Sequence, residues 1–205
     1  MDELMEFMIP NGKDFSLVDP SEHDYWVMRK SRNLVLDWEL GDDYRTVELI
    51  KTIISFNLAE KDTPIEELKP LVLWIFSFGG DSFQCSALCD VIEASRIPII
   101  TVCMGVAMSS GFLIFLAGKR RYAFSQAQFL VHDGYLSLQG TADQVDSAQK
   151  NYKKSLDKMK TYVLSHTKID DKLFSKYKSK DWYIEGAEIE TLGIAKVVSS
   201  FDEIV

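Results

Sequence analysis

The sequence predicts an α/β domain organised around a parallel sheet, and three observations carry that expectation. Residues 71–76 (LVLWIF) and 99–103 (IITVC) are near-continuous apolar runs of strand length, the pattern of strands covered on both faces. Each run leads, through small or glycine residues, into a segment of helical period, and this βαβα order sets parallel strands side by side with helices on the sheet faces. The length of 205 residues suits one such domain with a sizeable core and is short for two with a linker.

Regular structure is expected to begin near Arg32, where residues 33–38 (NLVLDW) have the apolar density of a short strand. Asp42 or Asp43 then caps a helix running to about Ala59, with Val47, Ile50, Ile54 and Leu58 on one face at helical spacing. A connection over 64–70 leads to the strand at 71–76, which ends at Gly79-Gly80. Asp81 or Ser82 caps the next helix, whose apolar positions are Ala87, Leu88, Val91 and Ile92. After the strand at 99–103 and Gly105 comes a short apolar helix over 109–117, then two short strands around Tyr122 and over 129–131.

Thr141 and Gln144 form a T-x-x-Q capping box that opens a long polar helix reaching about His166. Its stripe of Val145, Ala148, Tyr152, Leu156, Met159 and Val163 is narrow, and Lys150, Lys153, Lys154, Asp157 and Lys158 fill the rest. Such a helix is read as an arm that packs along one side only. The expected organisation is a leading segment, 1–31, and one domain, 32–205, with the arm at about 141–166.

Composition narrows the function classes. Apolar residues at 46% and charged residues at 26% are ordinary for a globular chain and do not favour disorder. The longest apolar stretches, 97–107 and 111–118, are broken well short of a membrane span. The opening MDELMEFMIP carries three acids and no base, unlike a secretory signal, so a cytoplasmic protein is expected. Twenty-three basic against 31 acidic residues give a net charge of −8, and no basic cluster exceeds residues 119–121, which argues against nucleic acid as a partner. Cys85, Cys89 and Cys103 are expected as buried thiols. With His23, His132 and His166 the only imidazoles, a metal site is short of ligands, so no metal or cofactor is expected.

The chemistry is read from residues 105–112 (GVAMSSGF), between a buried strand and an apolar helix. Ser109 there sits at a helix start, where unpaired N–H groups and the helix dipole favour negative charge, and small neighbours keep its hydroxyl accessible. The N–H of Ser110 is placed as one oxyanion donor, and the turn containing Gly79-Gly80 can supply a second. A nucleophilic serine needs a base, and His132 follows the strand at 129–131. Taken singly, each feature has a commoner structural reading: a helix cap, a strand end, a satisfied histidine. Acids are too abundant for position to select the third member, although Asp133, adjacent on an extended chain, points to the opposite side from His132.

Residues 75–80 (IFSFGG), 103–113 (CMGVAMSSGFL) and Val131-His132, in this order and spacing, resemble the proteolytic subunit of the ATP-dependent Clp serine protease. The similarity runs from about Arg32 to Val198 and includes a long helix ending in His166-Thr167, like the family's handle helix. The resemblance implies a crotonase-like fold of repeated β-β-α units with a protruding handle. It implies a serine endopeptidase acting on unfolded polypeptides without a metal, and a triad of Ser109, His132 and Asp181, the last by the match of residues 180–195. It places the oxyanion donors at the N–H groups of Gly80 and Ser110. It further implies a homo-oligomer of heptameric rings, stacked as a tetradecamer through the handle and fed by an AAA+ unfoldase ATPase. The sequence departs from the family at Phe78 (usually proline), Ser110 (methionine), Asp133-Gly134 (glutamine-proline) and Trp182 (an arginine that pairs across rings). Residues 1–31 do not resemble the family's axial loop, as in a divergent or phage-type member. Two other functions fit the same pattern: a crotonase-fold acyl-CoA enzyme, and a non-catalytic ring subunit.

Overall fold

The computed structural model describes residues 20–41, 44–134, 137–177 and 180–204; Asp42 and Asp43, the expected caps, lie outside them. Chain contacts divide the molecule into two units, Met1–Asn33 and Leu34–Val205. In the first, regular structure starts before Arg32, with helix α1 (Pro20–Lys30). Proline suits a first helical turn, and Arg29 and Lys30 in the last turn complement the dipole. The helix escapes a periodicity search because it has no clean apolar stripe. One of its local contacts is the Arg29 guanidinium over the Trp26 ring, 4.9 Å from the centroid.

The second unit is built on a seven-stranded sheet. Its strands are β1 (Asn33–Leu36), β2 (Leu71–Ser77), β3 (Ile99–Met108), β4 (Arg120–Phe124), β5 (Gln128–Val131), β6 (Trp182–Glu185) and β7 (Lys196–Val198). The order is β1-β2-β3-β4-β7, with β5 beside β3 and β6 beside β5. Pairings β2–β3, β3–β4, β3–β5 and β4–β7 are parallel, as the βαβα order requires, and β5–β6 is antiparallel. Strand β3 runs five residues beyond the expected Cys103. Its first half pairs with β4 and its second half, Val106 to Met108, pairs with β5, so the extension rests on a non-local partner.

One face of the sheet carries the main core. Leu71, Leu73 and Ile75 of β2 are fully buried there, with Phe112, Phe115 and Phe129 forming an aromatic cluster at centroid distances of 5.7 and 4.8 Å. Each such side chain contributes roughly 1.5–3 kcal/mol by leaving water. The expectation that β2 is covered on both faces is only half met. On the other face Val72 and Trp74 are partly buried and Phe76 is exposed, because the covering there comes from the short C-terminal turn with Phe201 and Ile204.

Helix α2 (Arg45–Ala59) buries Thr46, Leu49, Thr52 and Ile53, not the predicted Val47, Ile54 and Leu58, which are exposed. The inward face is turned by about 100°, one residue's rotation. Two threonines are tolerated inside because their hydroxyls are satisfied: Trp38 Nε1 donates to Thr46 Oγ1 at 3.0 Å, and Thr52 Oγ1 donates to the Glu48 carbonyl at 2.7 Å. Helix α3 (Ser82–Ala94) is capped by Asp81, which accepts from the Gln84 N–H at 2.7 Å. It buries Cys85, Leu88, Cys89 and Ile92, while Ala87 of the expected set faces solvent.

Helix α4 (Ser110–Leu116) is almost wholly buried, as its apolar sequence requires. Helix α5 (Ala142–His166) has both halves of the predicted capping box: Gln144 N–H to Thr141 Oγ1, 3.4 Å, and Thr141 N–H to Gln144 Oε1, 2.9 Å. Only its predicted stripe and the C-terminal turns are shielded, and Val163 alone is fully buried. Its base is held by Glu93 of α3, which accepts from the Tyr162 hydroxyl at 2.5 Å and lies 3.2 Å from His166 Nε2. Helices α6 (Asp171–Tyr177) and α7 (Ala187–Thr191) complete the unit.

Candidate active site

Three strands deliver three side chains to one point. Met108, the last residue of β3, pairs with Leu130 of β5, and the N–H of Ser109 continues the ladder by donating to the Leu130 carbonyl at 2.9 Å. On the opposite edge of β5 the antiparallel register ends with Val131 opposite Trp182, so the next residues out, His132 and Asp181, face one another. The outcome is a Ser109 Oγ to His132 Nε2 distance of 2.8 Å and a His132 Nδ1 to Asp181 Oδ1 distance of 3.6 Å. The first is a hydrogen bond; the second is an ion-pair distance, too long for a direct one. The imidazole is 14% exposed and the carboxylate 51%, so the acid is not the enclosed group that a buried carboxylate would be.

Ser109 is held in an unusual backbone conformation, φ 53° and ψ −122°, at the N-cap of α4. A non-glycine residue at positive φ costs on the order of 1–3 kcal/mol and persists only where the surroundings enforce it. Here the N–H is tied to β5, and the carbonyl accepts from Phe112 N–H at 3.0 Å in the first turn of α4. The hydroxyl is thereby turned out of the helix toward the imidazole.

The turn after β2 lies against this point. Gly79 and Gly80 have φ of 102° and 121°. A Cβ on Gly79 would fall 2.8 Å from Ser109 Cβ and 3.0 Å from the Ser110 nitrogen; one on Gly80 would fall 2.0 Å from the Leu40 carbonyl oxygen. Both positions therefore require glycine, for conformation and for space. A bridge to Leu40 fixes the turn: Leu40 N–H donates to the Gly79 carbonyl at 2.7 Å, and Asp81 N–H donates to the Leu40 carbonyl at 2.9 Å. The bridge uses neither the N–H nor the carbonyl of Gly80. Ser77 adds a further tie, donating from Oγ to the Trp38 carbonyl at 2.7 Å and accepting the Gly79 N–H at 3.2 Å.

The Ser110 N–H, at the first position of α4, has no intrahelical acceptor. Below it, Cys85 Sγ donates to the Ser110 carbonyl at 3.3 Å. Behind the imidazole, Val131, Asp133, Phe174, Tyr177 and Trp182 line a crevice, with Tyr177 and Trp182 stacked at 4.5 Å. The Tyr152 hydroxyl of α5 donates to the Asp133 carbonyl at 2.5 Å, linking the long helix to the residue after His132. Burial pushes the Cys103 thiol up to about 12, so that thiol is inert. Among the described residues no cluster of His, Cys, Asp and Glu could hold a metal, and no helix is long and apolar enough to cross a membrane.

All five residues singled out in the sequence, Gly80, Ser109, Ser110, His132 and Asp181, meet in this region. Sequence reasoning missed the supporting contacts of Leu40, Ser77 and Tyr152. Ser77 is signalled weakly, as a hydroxyl at a position that alternation assigns to the core; the Leu40 bridge leaves no local signal.

Arranged this way, a hydroxyl can pass a proton to an imidazole that a carboxylate faces, beside the turn at Gly79-Gly80 and the first turn of α4. The family model for Clp protease matches residues 22–201. Two curated proteins named ATP-dependent Clp protease proteolytic subunit 2 are similar to the chain. The one from Treponema pallidum is 24% identical over 128 residues, 62% of this chain and 64% of that protein. The one from Treponema denticola is 27% identical over 133 residues, 64% of this chain and 66% of that protein. The chain thus spans just under two thirds of the length of these relatives. With the family match reaching from α1 to the C-terminal turn, on the parallel α/β sheet described above, the chain belongs to the Clp protease family.

Proposed function

We propose that this chain is a serine endopeptidase, the proteolytic subunit of an ATP-dependent Clp-like protease, with Ser109 as nucleophile, His132 as general base and Asp181 as the orienting acid. The observation that carries the reading is the 2.8 Å contact between Ser109 Oγ and His132 Nε2 at a serine held at positive φ. Ser109 Oγ attacks the peptide carbonyl carbon while its proton passes to Nε2. The carbonyl oxygen becomes an oxyanion that accepts from the N–H groups of Gly80 and Ser110. Collapse of this intermediate breaks the C–N bond, and the imidazolium gives its proton to the leaving amine. Water then releases the acyl group from Ser109 by the same steps in reverse order of partners. Asp181 favours the imidazolium electrostatically.

The relatives' names, an ATP-dependent protease and its proteolytic subunit, support an AAA+ unfoldase as partner and unfolded polypeptide as substrate. Assembly follows as heptameric rings stacked in pairs through α5, and the need for partner surfaces is supported by apolar side chains left exposed on α2 and on the open sheet face, among them Val47, Ile54, Leu58 and Phe76. Three cysteines without disulfides fit a reducing cytoplasm.

A fluorophosphonate probe tests the reading: it labels Ser109 in the wild-type protein and labels neither Ser109→Ala nor His132→Ala. Absence of labelling in the assembled wild-type protein overturns it in favour of a non-catalytic subunit. Mass measurement in solution tests the ring.

A further inference from the structure

We infer that the side chain of Ser110, not only its backbone, serves the reaction: its hydroxyl is a positioning group that clamps the two oxyanion donors together. This inference rests on the proposed role of the Gly80 and Ser110 N–H groups. Ser110 Oγ donates to the Gly80 carbonyl at 2.8 Å, and the residue is 7% exposed.

The need for a clamp follows from which peptide planes carry the donors. The Gly80 N–H shares its plane with the Gly79 carbonyl, which the Leu40 N–H holds from the far side at 2.7 Å. The Ser110 N–H shares its plane with the Ser109 carbonyl, which the first turn of α4 holds at 3.0 Å from Phe112 N. Each donor is thus fixed to its own element, one to the end of β2 through the bridge to Leu40 and the other to α4. At the donors themselves the two elements are joined by the Ser110 hydroxyl, while Cys85 of α3 holds the Ser110 carbonyl from below at 3.3 Å. The hydroxyl holds the next plane of the turn, the one carrying the Gly80 carbonyl, while the other end of that plane, Asp81 N–H, is held by Leu40 at 2.9 Å.

Gly80, lacking a Cβ and sitting at φ 121°, has a backbone that no side chain of its own restrains, so both planes flanking it must be held for its N–H to keep a direction. A donor pair stabilises an oxyanion only when aimed before the charge develops, and a loosened pair loses transition-state binding without losing substrate affinity.

Ser110→Ala and Ser110→Cys remove or weaken this hydrogen bond at nearly constant volume. Three quantities decide the matter: kcat and KM on a fluorogenic peptide, and the inhibition constant of a peptide boronate that forms a tetrahedral adduct on serine. The expected result is a fall in kcat of about 10- to 100-fold, less for cysteine than for alanine, with KM unchanged within about twofold. Boronate affinity falls in parallel with kcat/KM. A rise in KM with kcat retained, or wild-type boronate affinity in a variant with lowered kcat, overturns the clamp. So does wild-type kcat in either variant. The cysteine variant retains the packing, so it carries the test if the alanine variant does not fold. Failure of the wild-type protein to bind boronate or hydrolyse peptide is the distinct outcome that removes the underlying reading together with this one.

Discussion

Removing the Asp181 carboxylate is predicted to cost far less than removing the imidazole it faces. The distance of 3.6 Å gives a Coulomb attraction to an imidazolium of about 1 kcal/mol in water and about 5 kcal/mol at an effective dielectric near 20. With the carboxylate 51% exposed, the lower half of that range applies. One decade of rate corresponds to about 1.4 kcal/mol, so Asp181→Ala should lower kcat by about 10- to 100-fold. Serine peptidases whose acid is buried and hydrogen-bonded lose roughly 10⁴-fold on disabling it. The measurement is kcat on a fluorogenic peptide for wild type, Asp181→Ala and His132→Ala, each confirmed at the same oligomeric mass. Added salt should narrow the gap between wild type and Asp181→Ala, because a half-exposed charge is screened. A loss in Asp181→Ala equal to that in His132→Ala would refute the argument that this acid acts through a partly solvated field. No loss at all would remove it from the mechanism.

Gly79→Ala sets a Cβ 2.8 Å from Ser109 Cβ at φ 102°, and should cost about 2–4 kcal/mol of stability from conformational strain and overpacking together. Urea unfolding measures that loss, and the rate of fluorophosphonate labelling should fall by at least about 100-fold because Ser109, the proposed nucleophile, is displaced. Ser109→Gly relieves the positive φ that Ser109→Ala retains, so the glycine variant should be the more stable of these two inactive proteins by about 1 kcal/mol, read as a Tm higher by about 2–4 °C. Glu203 accepts the N–H of Ser199 and pairs with Lys196 at 3.1 Å, which together hold its carboxyl down at about 2 from an ordinary 4.5. A depressed folded value means the stabilisation is fully present well above pH 4.5, falls as pH drops from 4.5 through about 2, and is gone only below that, where both states are protonated. Glu203→Gln should therefore be less stable than wild type at neutral pH, converge with it below about pH 2, and show a flatter stability curve between those limits.

The readable parts of this molecule are those whose cause is local. The Thr141 and Gln144 capping box and the narrow stripe down to Val163 needed only the spacing of side chains along one helix, and the structure follows both. The strands expected at 71–76 and 99–103 announced themselves by apolar density, whereas the extension of β3 to Met108, which rests on β5, did not. The errors arose where partners are distant. Helix α2 turned a face containing Thr46 and Thr52 inward because Trp38 offers a donor to one of them, which no periodicity registers. Helix α1 lacked a stripe and went unseen. At the site, the residues at 109 and 132 were legible as a serine at a helix start and a histidine at a strand end. Position along the chain left Asp181 one acid among many, and only the resemblance of residues 180–195 to a family marked it. In space the β5–β6 register singles it out.

That register also ranks the contacts by firmness. Ser109 is bound into the sheet interior: its N–H extends the pairing of β3 with β5, and β3 is flanked by partners on both edges. Asp181 hangs from β6, a strand of four residues whose one neighbour in the sheet, among the described residues, is β5. Short marginal strands open at lower free energy than central ones. The Ser109–His132 contact is therefore the stiffer of the two and the His132–Asp181 contact the more compliant, in keeping with distances of 2.8 and 3.6 Å. The geometry of this candidate site is a property of backbone pairing before it is a property of side chains. A one-residue slip of β6 would turn Asp181 to the opposite face, and the stacking of Trp182 on Tyr177 stands against that slip at the residue next to the acid.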